Sequence, residues 1–299
     1  MLERLIYKEC PFCSSNKMDK VFTVKDYTVS NEIFEVYTCN VCTNRFTQNI
    51  VTQNEIGKYY QSENYISHSD TNKDFISKIY HAVRNLTLKS KRNLIVGITK
   101  QKNGNLLDVG AGTGAFSNVM VQAGWSVTSL EPDENARNIA KNKYNIQHQD
   151  TSELFNQEPD KFDAITLWHV LEHIHTLNEY LDQFHKIINK NGRLIIAVPN
   201  YTSYDASFYQ EYWAGYDVPR HLYHFSPTGM KMLMEKFGFK IVSYKPMWFD
   251  SVYVSMLSEQ YKTGKQNFFK AFFIGMISNA KAILNIKKCS SVIYIMEKQ

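Results

Sequence analysis

Apolar residues recur along this chain at two alternating spacings, and together they predict an α/β fold. From residue 105 onward, short apolar runs alternate with stretches in which apolar side chains return every third or fourth position. Leu106, Leu107 and Val109 predict a buried strand, and Phe116, Val119 and Met120 the helix after it. Residues 125–130, 146–150, 162–168 and 193–199 predict the second to fifth strands, 240–244 the sixth and 291–296 the seventh. Between them, 134–142 and 177–188 read as helices. Leu177, Leu181, Phe184 and Ile188 share one face of the latter, which Asn191-Gly192 ends. Such alternation predicts a doubly wound parallel sheet.

Ahead of the sheet, Phe75, Ile79, Val83 and Leu86 predict a helix over 74–94, with Asn72 as its cap. Residues 21–25 and 33–38 alternate as short strands. Residues 201–216 are aromatic and polar without clear period, which predicts an insertion facing the substrate. Ser226-Pro227 then opens another helix. Residues 267–286 are unusually apolar, but Lys270, Asn279 and Lys281 interrupt them and make a membrane span costly. A helix packing on the domain or on a partner is the first reading, and peripheral contact with a membrane surface the second. The chain divides into 1–50, 51–100 and 101–299, the last with insertions at 201–227 and 250–288.

Composition changes this picture little. The 299 residues, 43% hydrophobic, suffice for one large domain and a small appendage. The net charge of +5 comes without a long basic run and argues only weakly for a polyanion partner. The charged start lacks the apolar core of a signal peptide, which favours the cytoplasm. The cysteines change more. Cys10-Pro-Phe-Cys13 and Cys39-Asn-Val-Cys42 are two C-x2-C knuckles, able to supply four thiolates to a tetrahedral structural zinc. Such a fragment buries little core, so the metal would supply most of its folding energy. Cys289 stands alone and reads as a small buried hydrophobe.

The chemistry concentrates in Asp108-Val109-Gly110-Ala111-Gly112-Thr113-Gly114. Glycines there permit a sharp turn and close approach of a ligand to the main chain, and the helix that follows presents unpaired N–H groups. Gly110-x-Gly112-x-x-Ala115 also satisfies the dinucleotide fingerprint, with Glu131 at the right distance for a ribose. Asp108 decides between the two. A carboxylate two residues before the first glycine suits a cationic amino group and would repel a pyrophosphate. The pattern Leu-Asp-Val-Gly-x-Gly-x-Gly, with an acid ending the next strand, resembles motif I of the class I S-adenosylmethionine-dependent methyltransferases. The segment Leu167-Trp-His-Val-Leu-Glu-His-Ile174 resembles the quinone-biosynthesis group, and Arg220-His-Leu-x-His-Phe-Ser-Pro227 recurs there.

The resemblance implies a Rossmann-like methyltransferase sheet with helices on both faces, plus an N-terminal zinc ribbon. It implies that Asp108 and the glycine loop hold the methionine portion of S-adenosylmethionine. Glu131, beside Pro132, takes the ribose, and Asp150, beside Thr151, takes the adenine; Asp150 also reads as a helix cap. Tyr59, Tyr60, Tyr65 and His68 belong to a tyrosine-rich segment that lies across the cofactor in such enzymes, or forms a packed linker. Trp168 and His169 fall at the mouth of the site, where strands end. His169, His173 or His221 would supply the base for an oxygen nucleophile, and His173 also reads as a ligand or a packing histidine. Arg220, His221 and His224 lie near the substrate mouth or staple a loop. His169-x-x-Glu172-His173 spells an inverted zinc-peptidase motif, but His169 ends a strand, which excludes that reading. The acceptor reads first as a small-molecule hydroxyl, of a sugar, quinone-like or other secondary metabolite. An RNA methyltransferase is the runner-up, with nucleic acid disfavoured by the sparse lysine and arginine of the ribbon. A non-catalytic cofactor-binding sensor is the third reading.

Overall fold

The computed structural model describes residues 4–60 and 75–299, with side chains from residue 83 onward in the first helix. Tyr65, His68 and Asn72 lie outside the described residues, as do the side chains of Phe75 and Ile79. The N-terminal unit contains β1 (Arg4–Leu5), β2 (Met18–Lys25), β3 (Ile33–Cys39), β4 (Arg45–Gln48) and β5 (Ile50–Val51). A 3-10 turn at Ile56–Tyr60 follows, then α1 (Phe75–Thr99).

The core begins with β6 (Asn105–Val109), α2 (Ala115–Gln122), β7 (Ser126–Leu130) and α3 (Glu134–Tyr144). It continues through β8 (Phe162–Trp168), α4 (Leu177–Ile187), β9 (Ile188–Pro199) and α5 (Tyr204–Tyr209). The remaining elements are β10 (Tyr223–His224), α6 (Pro227–Lys236), β11 (Phe239–Pro246), α7 (Asp250–Thr263), α8 (Phe268–Leu284) and β12 (Ser291–Lys298). Six strands form the central sheet in the order β11-β12-β9-β8-β6-β7. β7, β6, β8 and β9 run parallel, while β12 is antiparallel to both its neighbours. Leu106, Leu107, Ile165 and Ile195 to Val198 are fully buried, as expected of strands covered on both faces. From β6 the chain steps to β7 on one side and to β8 on the other. That reversal opens a crevice beyond the carboxyl ends of β6 and β8.

Three expectations need correction. Residues 146–150 form no strand but a single bridge, Leu130 to Gln149. Gln147, His148, Gln149 and Asp150 give the segment no apolar face for a sheet to bury, and Asp150 instead caps the 3-10 turn Thr151–Asn156. Asn191-Gly192 does not end a helix. α4 stops at Ile187 and β9 starts at once, with Gly192 at a bulge where a Cβ would stand 2.9 Å from the Phe162 carbonyl oxygen. The aromatic insertion at 201–216 is no open lining. Tyr209, Trp213 and Tyr216 are buried against Val24, Phe34 and Val36 of the N-terminal unit.

That unit is welded to the core. β10, from the 201–227 insertion, extends its sheet in the order β10-β4-β3-β2. Cys10, Phe12 and Phe46 share one apolar cluster with Phe225, Met230 and Leu233. α8 packs through Ala271, Ile274, Gly275, Ser278 and Ala282, and its Ile274 joins the cluster of Val24, Phe34 and Val36. Gly275 lies so close to α7 that a Cβ would stand 2.8 Å from the Val252 Cα. The outward face of α8 leaves Phe269 85% and Phe273 65% exposed. Among the described residues no helix is long and apolar enough to cross a membrane. Cys289 is buried, as its setting predicted.

Candidate active site

The glycine loop fills the crevice beyond β6. Gly110, Gly112 and Gly114 all have positive φ, and the N–H groups of Gly110 and Ala111 both donate to the Leu130 carbonyl, at 2.8 and 3.0 Å. A Cβ at Gly110 would stand 2.4 Å from Val170 Cγ2, and one at Gly114 2.9 Å from Ala140 Cβ. At Gly112 the same position is open. Two glycines are therefore demanded by packing, and the middle one leaves main chain bare toward the crevice.

Two carboxylates flank this loop. Asp108 is 2% exposed; the hydroxyls of Ser117 and Thr166 donate to its oxygens at 2.7 and 2.9 Å. Burial outweighs these bonds and pushes its pKa up to about 6. Glu131 is also buried. It accepts the N–H of Gly112 at 2.7 Å and that of Asp133 at 3.0 Å, and burial raises its pKa as well. Pro132 beside it is exposed. Asp150 is exposed and caps its own turn through Ser152, with Arg137 at 3.5 Å. Thr151 opens that 3-10 turn.

Trp168 ends β8 with its ring edge-on to Phe116 at 5.5 Å. The ammonium of Lys91, from α1, sits 4.3 Å from the ring centroid; burial lowers its pKa to about 8 against the pull of Asp108 and Asp250. The crevice thus seats a cation on an aromatic face beside buried acid. His169 follows with φ 59°, an uncommon conformation for a residue with a Cβ. Its Nε2 lies 3.0 Å from Asp250 and its Nδ1 3.3 Å from Glu172. Burial opposes charge on this ring, but the two carboxylates prevail and hold the pKa at about 10. His173 donates from Nδ1 to the Arg220 carbonyl at 2.9 Å, with the Tyr60 hydroxyl 3.0 Å away. Burial, and then His221, bring its pKa down to about 4. The rings of His173 and His221 meet edge-to-face at 4.7 Å.

The structure thus gathers Asp108, the glycine loop, Glu131 and Trp168 in one crevice, with His169, His173, His221 and Tyr60 along its wall. Tyr59 turns away: it is buried with Phe34 and donates to Glu32 at 2.9 Å. Arg220 and His224 act as staples. The Arg220 guanidinium bonds Asp217 at 2.6 Å, Asp26 at 3.0 Å and the Tyr59 carbonyl at 2.9 Å, and His224 meets Thr47 at 3.1 Å. Lys91 and Asp250 were not legible in the sequence, since neither sits in a motif.

The two cysteine knuckles superpose in hydrogen bonding. Cys10 N donates to Ser15 O and Ser14 N to Cys10 O, just as Cys39 N does to Asn44 O and Thr43 N to Cys39 O, all at 2.9 Å. The Sγ atoms of Cys10 and Cys42, and of Cys13 and Cys39, lie 3.6 Å apart. Thiolates about 2.3 Å from a tetrahedral zinc stand roughly 3.8 Å from each other, so the four fit such an ion.

A family model described as a methyltransferase domain matches residues 80–244, more than half of the chain. The chain belongs to this methyltransferase family. A ubiquinone biosynthesis O-methyltransferase of Pelagibacter ubique is 31% identical over 106 residues, covering 34% of this methyltransferase and 44% of that one. The chain spans about half the length of the curated relatives it matches. Among solved structures, a putative sarcosine dimethylglycine methyltransferase from Galdieria sulphuraria aligns with a TM-score of 0.52 at 15% identity, over 75% of this chain and 88% of that one. A SAM dependent methyltransferase from Archaeoglobus fulgidus gives 0.50 at 19%, over 75% and 100%. At such identities the likeness is one of fold.

Proposed function

We propose that this methyltransferase moves the methyl group of S-adenosylmethionine to a hydroxyl of a small-molecule acceptor. The observation that carries the reading is the pair of buried carboxylates, Asp108 and Glu131, on either side of the glycine loop. A diphosphate would be repelled there, whereas an ammonium and a pair of ribose hydroxyls would be welcomed. The cofactor, when bound, supplies an activated methyl on a sulfonium. In this reading Asp108 and Gly110 to Gly114 hold its amino-acid end, Glu131 its ribose, and Asp150 with Thr151 its adenine. Tyr60 covers the donor. Trp168 offers an aromatic face to positive charge, as it does to Lys91.

The protein's main contribution is alignment of acceptor oxygen, methyl and sulfur, worth several kcal/mol in entropy. The acceptor must also lose a proton. Both ring nitrogens of His169 face carboxylates, so it positions rather than accepts, and the task falls to the wall formed by Glu172, His173 and His221. Oxygen as the acceptor atom is supported by the Pelagibacter relative, which is named as an O-methyltransferase. The four cysteines would carry structural zinc, which suits a reducing compartment such as the cytoplasm. Calorimetry with S-adenosylmethionine and NAD tests the donor: binding of the dinucleotide alone would end the reading. Labelled-methyl transfer to hydroxylated metabolites against RNA tests the acceptor.

A further inference from the structure

The wall beyond β8 carries a second kind of site. Glu172 is fully buried, and neither of its carboxylate oxygens has a hydrogen-bond donor among the described residues. His169 stands 3.3 Å from Oε1 but is shared with Asp250, and Arg220, the nearby guanidinium, is bonded to Asp217 and Asp26. The main chain brings two imidazoles to this carboxylate, because Leu222 N donates to the Glu172 carbonyl at 2.8 Å and so lays residue 221 against residue 173. Each imidazole points Nδ1 at a main-chain carbonyl, Arg220 for His173 and Gly215 for His221, both at 2.9 Å. A hydrogen on Nδ1 satisfies each carbonyl and puts the lone pair on Nε2, with the Tyr60 hydroxyl also 3.0 Å from His173 Nδ1 and the Asp217 carboxylate 3.9 Å from His221 Nε2. One ligand atom from each of Glu172, His173 and His221 lies within 4.8 Å of the other two.

We propose that Glu172, His173 and His221 hold a divalent transition-metal ion that binds the acceptor hydroxyl, an inference resting on the methyl-transfer reading above. An ion about 2.1 Å from each donor sets them roughly 3–4 Å apart, so movements of about an ångström close the set. Two imidazoles with one carboxylate suit zinc, iron, cobalt or manganese, whereas magnesium and calcium prefer oxygen alone. Three protein donors leave a position open, which marks a reactive rather than a structural site. Val170, two residues before Glu172, presses on Gly110, so the ion and the donor loop share one wall. With their lone pairs on the ion these three side chains no longer take the acceptor's proton themselves; the ion instead favours negative charge on the acceptor oxygen, and the proton leaves to solvent. The oxygen–carbon bond then forms while the carbon–sulfur bond breaks, its electron pair going to sulfur. Acceptors offering one hydroxyl, or two adjacent ones, are the class that fits.

The test titrates the full-length, zinc-loaded chain with Co(II), read by visible absorption, and measures S-adenosylmethionine binding on the same sample by calorimetry. One further equivalent of cobalt is expected, with ligand-field bands and no thiolate charge-transfer band. Glu172→Gln and His221→Ala should each weaken it by about tenfold or more while keeping donor binding. No further equivalent in the unaltered chain, or undiminished cobalt binding in both variants, overturns the site. Loss of donor binding by the unaltered chain sinks the methyl-transfer reading instead, and cobalt uptake would still report on the ligands.

Discussion

A carboxyl group as deeply enclosed as that of Asp108 resists ionisation, and its pKa of about 6 lies above the ordinary value near 4. The free protein therefore loses stability as pH rises from about 4 to about 6, because the folded state binds the proton more tightly than the unfolded one. Asp108→Asn should recover up to about 3 kcal/mol at neutral pH, read by denaturant unfolding. Donor binding has the opposite slope. An ammonium partner favours the ionised acid, so affinity should rise through about pH 6 and then level off. In Asp108→Asn the affinity should fall and its pH dependence flatten, which calorimetry across that range would check. Glycines of the loop also separate at this scale. Gly110→Ala meets Val170 and a φ of 68°, so it should cost about 2–4 kcal/mol. Gly112→Ala meets no neighbour and should cost only the backbone strain of about 1–2 kcal/mol, while still weakening the donor.

Among elements, the segment from Asp217 to Ser226 shows how a motif divides its labour. Its sequence resemblance pointed all three of Arg220, His221 and His224 toward the substrate, with a staple as the alternative. In the fold, Arg220 and His224 fasten the segment to the N-terminal unit, and only His221 joins the wall of the crevice. Asp26 shows the strength of that fastening. Burial disfavours its charge, but Arg220 and the Ser30 N–H hold its pKa down at about 2. Arg220→Met leaves Asp26 and Asp217 without their cation and should cost about 3–5 kcal/mol in thermal or denaturant unfolding. Ser226→Ala removes the cap bond to Gly229 N and should cost only about 1 kcal/mol. The buried pair dominates because it alone strands charge in the interior.

For the molecule as a whole, the N-terminal unit with its paired cysteine knuckles, the ribbon, and the methyltransferase core are predicted to unfold together. β10 belongs in sequence to the core and in hydrogen bonding to the ribbon, and one apolar cluster runs through both. Zinc chelation, or Cys39→Ser, should therefore shift a single calorimetric transition downward by several degrees. A separate low-temperature transition, with the main one unmoved, would mean that the ribbon folds independently. The same continuity links the cysteine knuckles to the crevice, since β10 begins two residues after His221.

The sequence by itself determined the alternation of strands and helices, the glycine-rich loop and the paired cysteines. Each is a local signal, carried by the period of apolar residues or by a few residues in a row. Tertiary structure decided what lies across the loop. His169 meets Asp250 from 81 residues away, and Arg220 meets Asp26 from 194. It also decided that Lys91 sits on Trp168, that residues 146–150 are too polar to make a strand, and that Glu172, His173 and His221 converge. Such pairings depend on chain closure and on which buried charge finds a partner. Neither leaves a period or a spacing in the sequence.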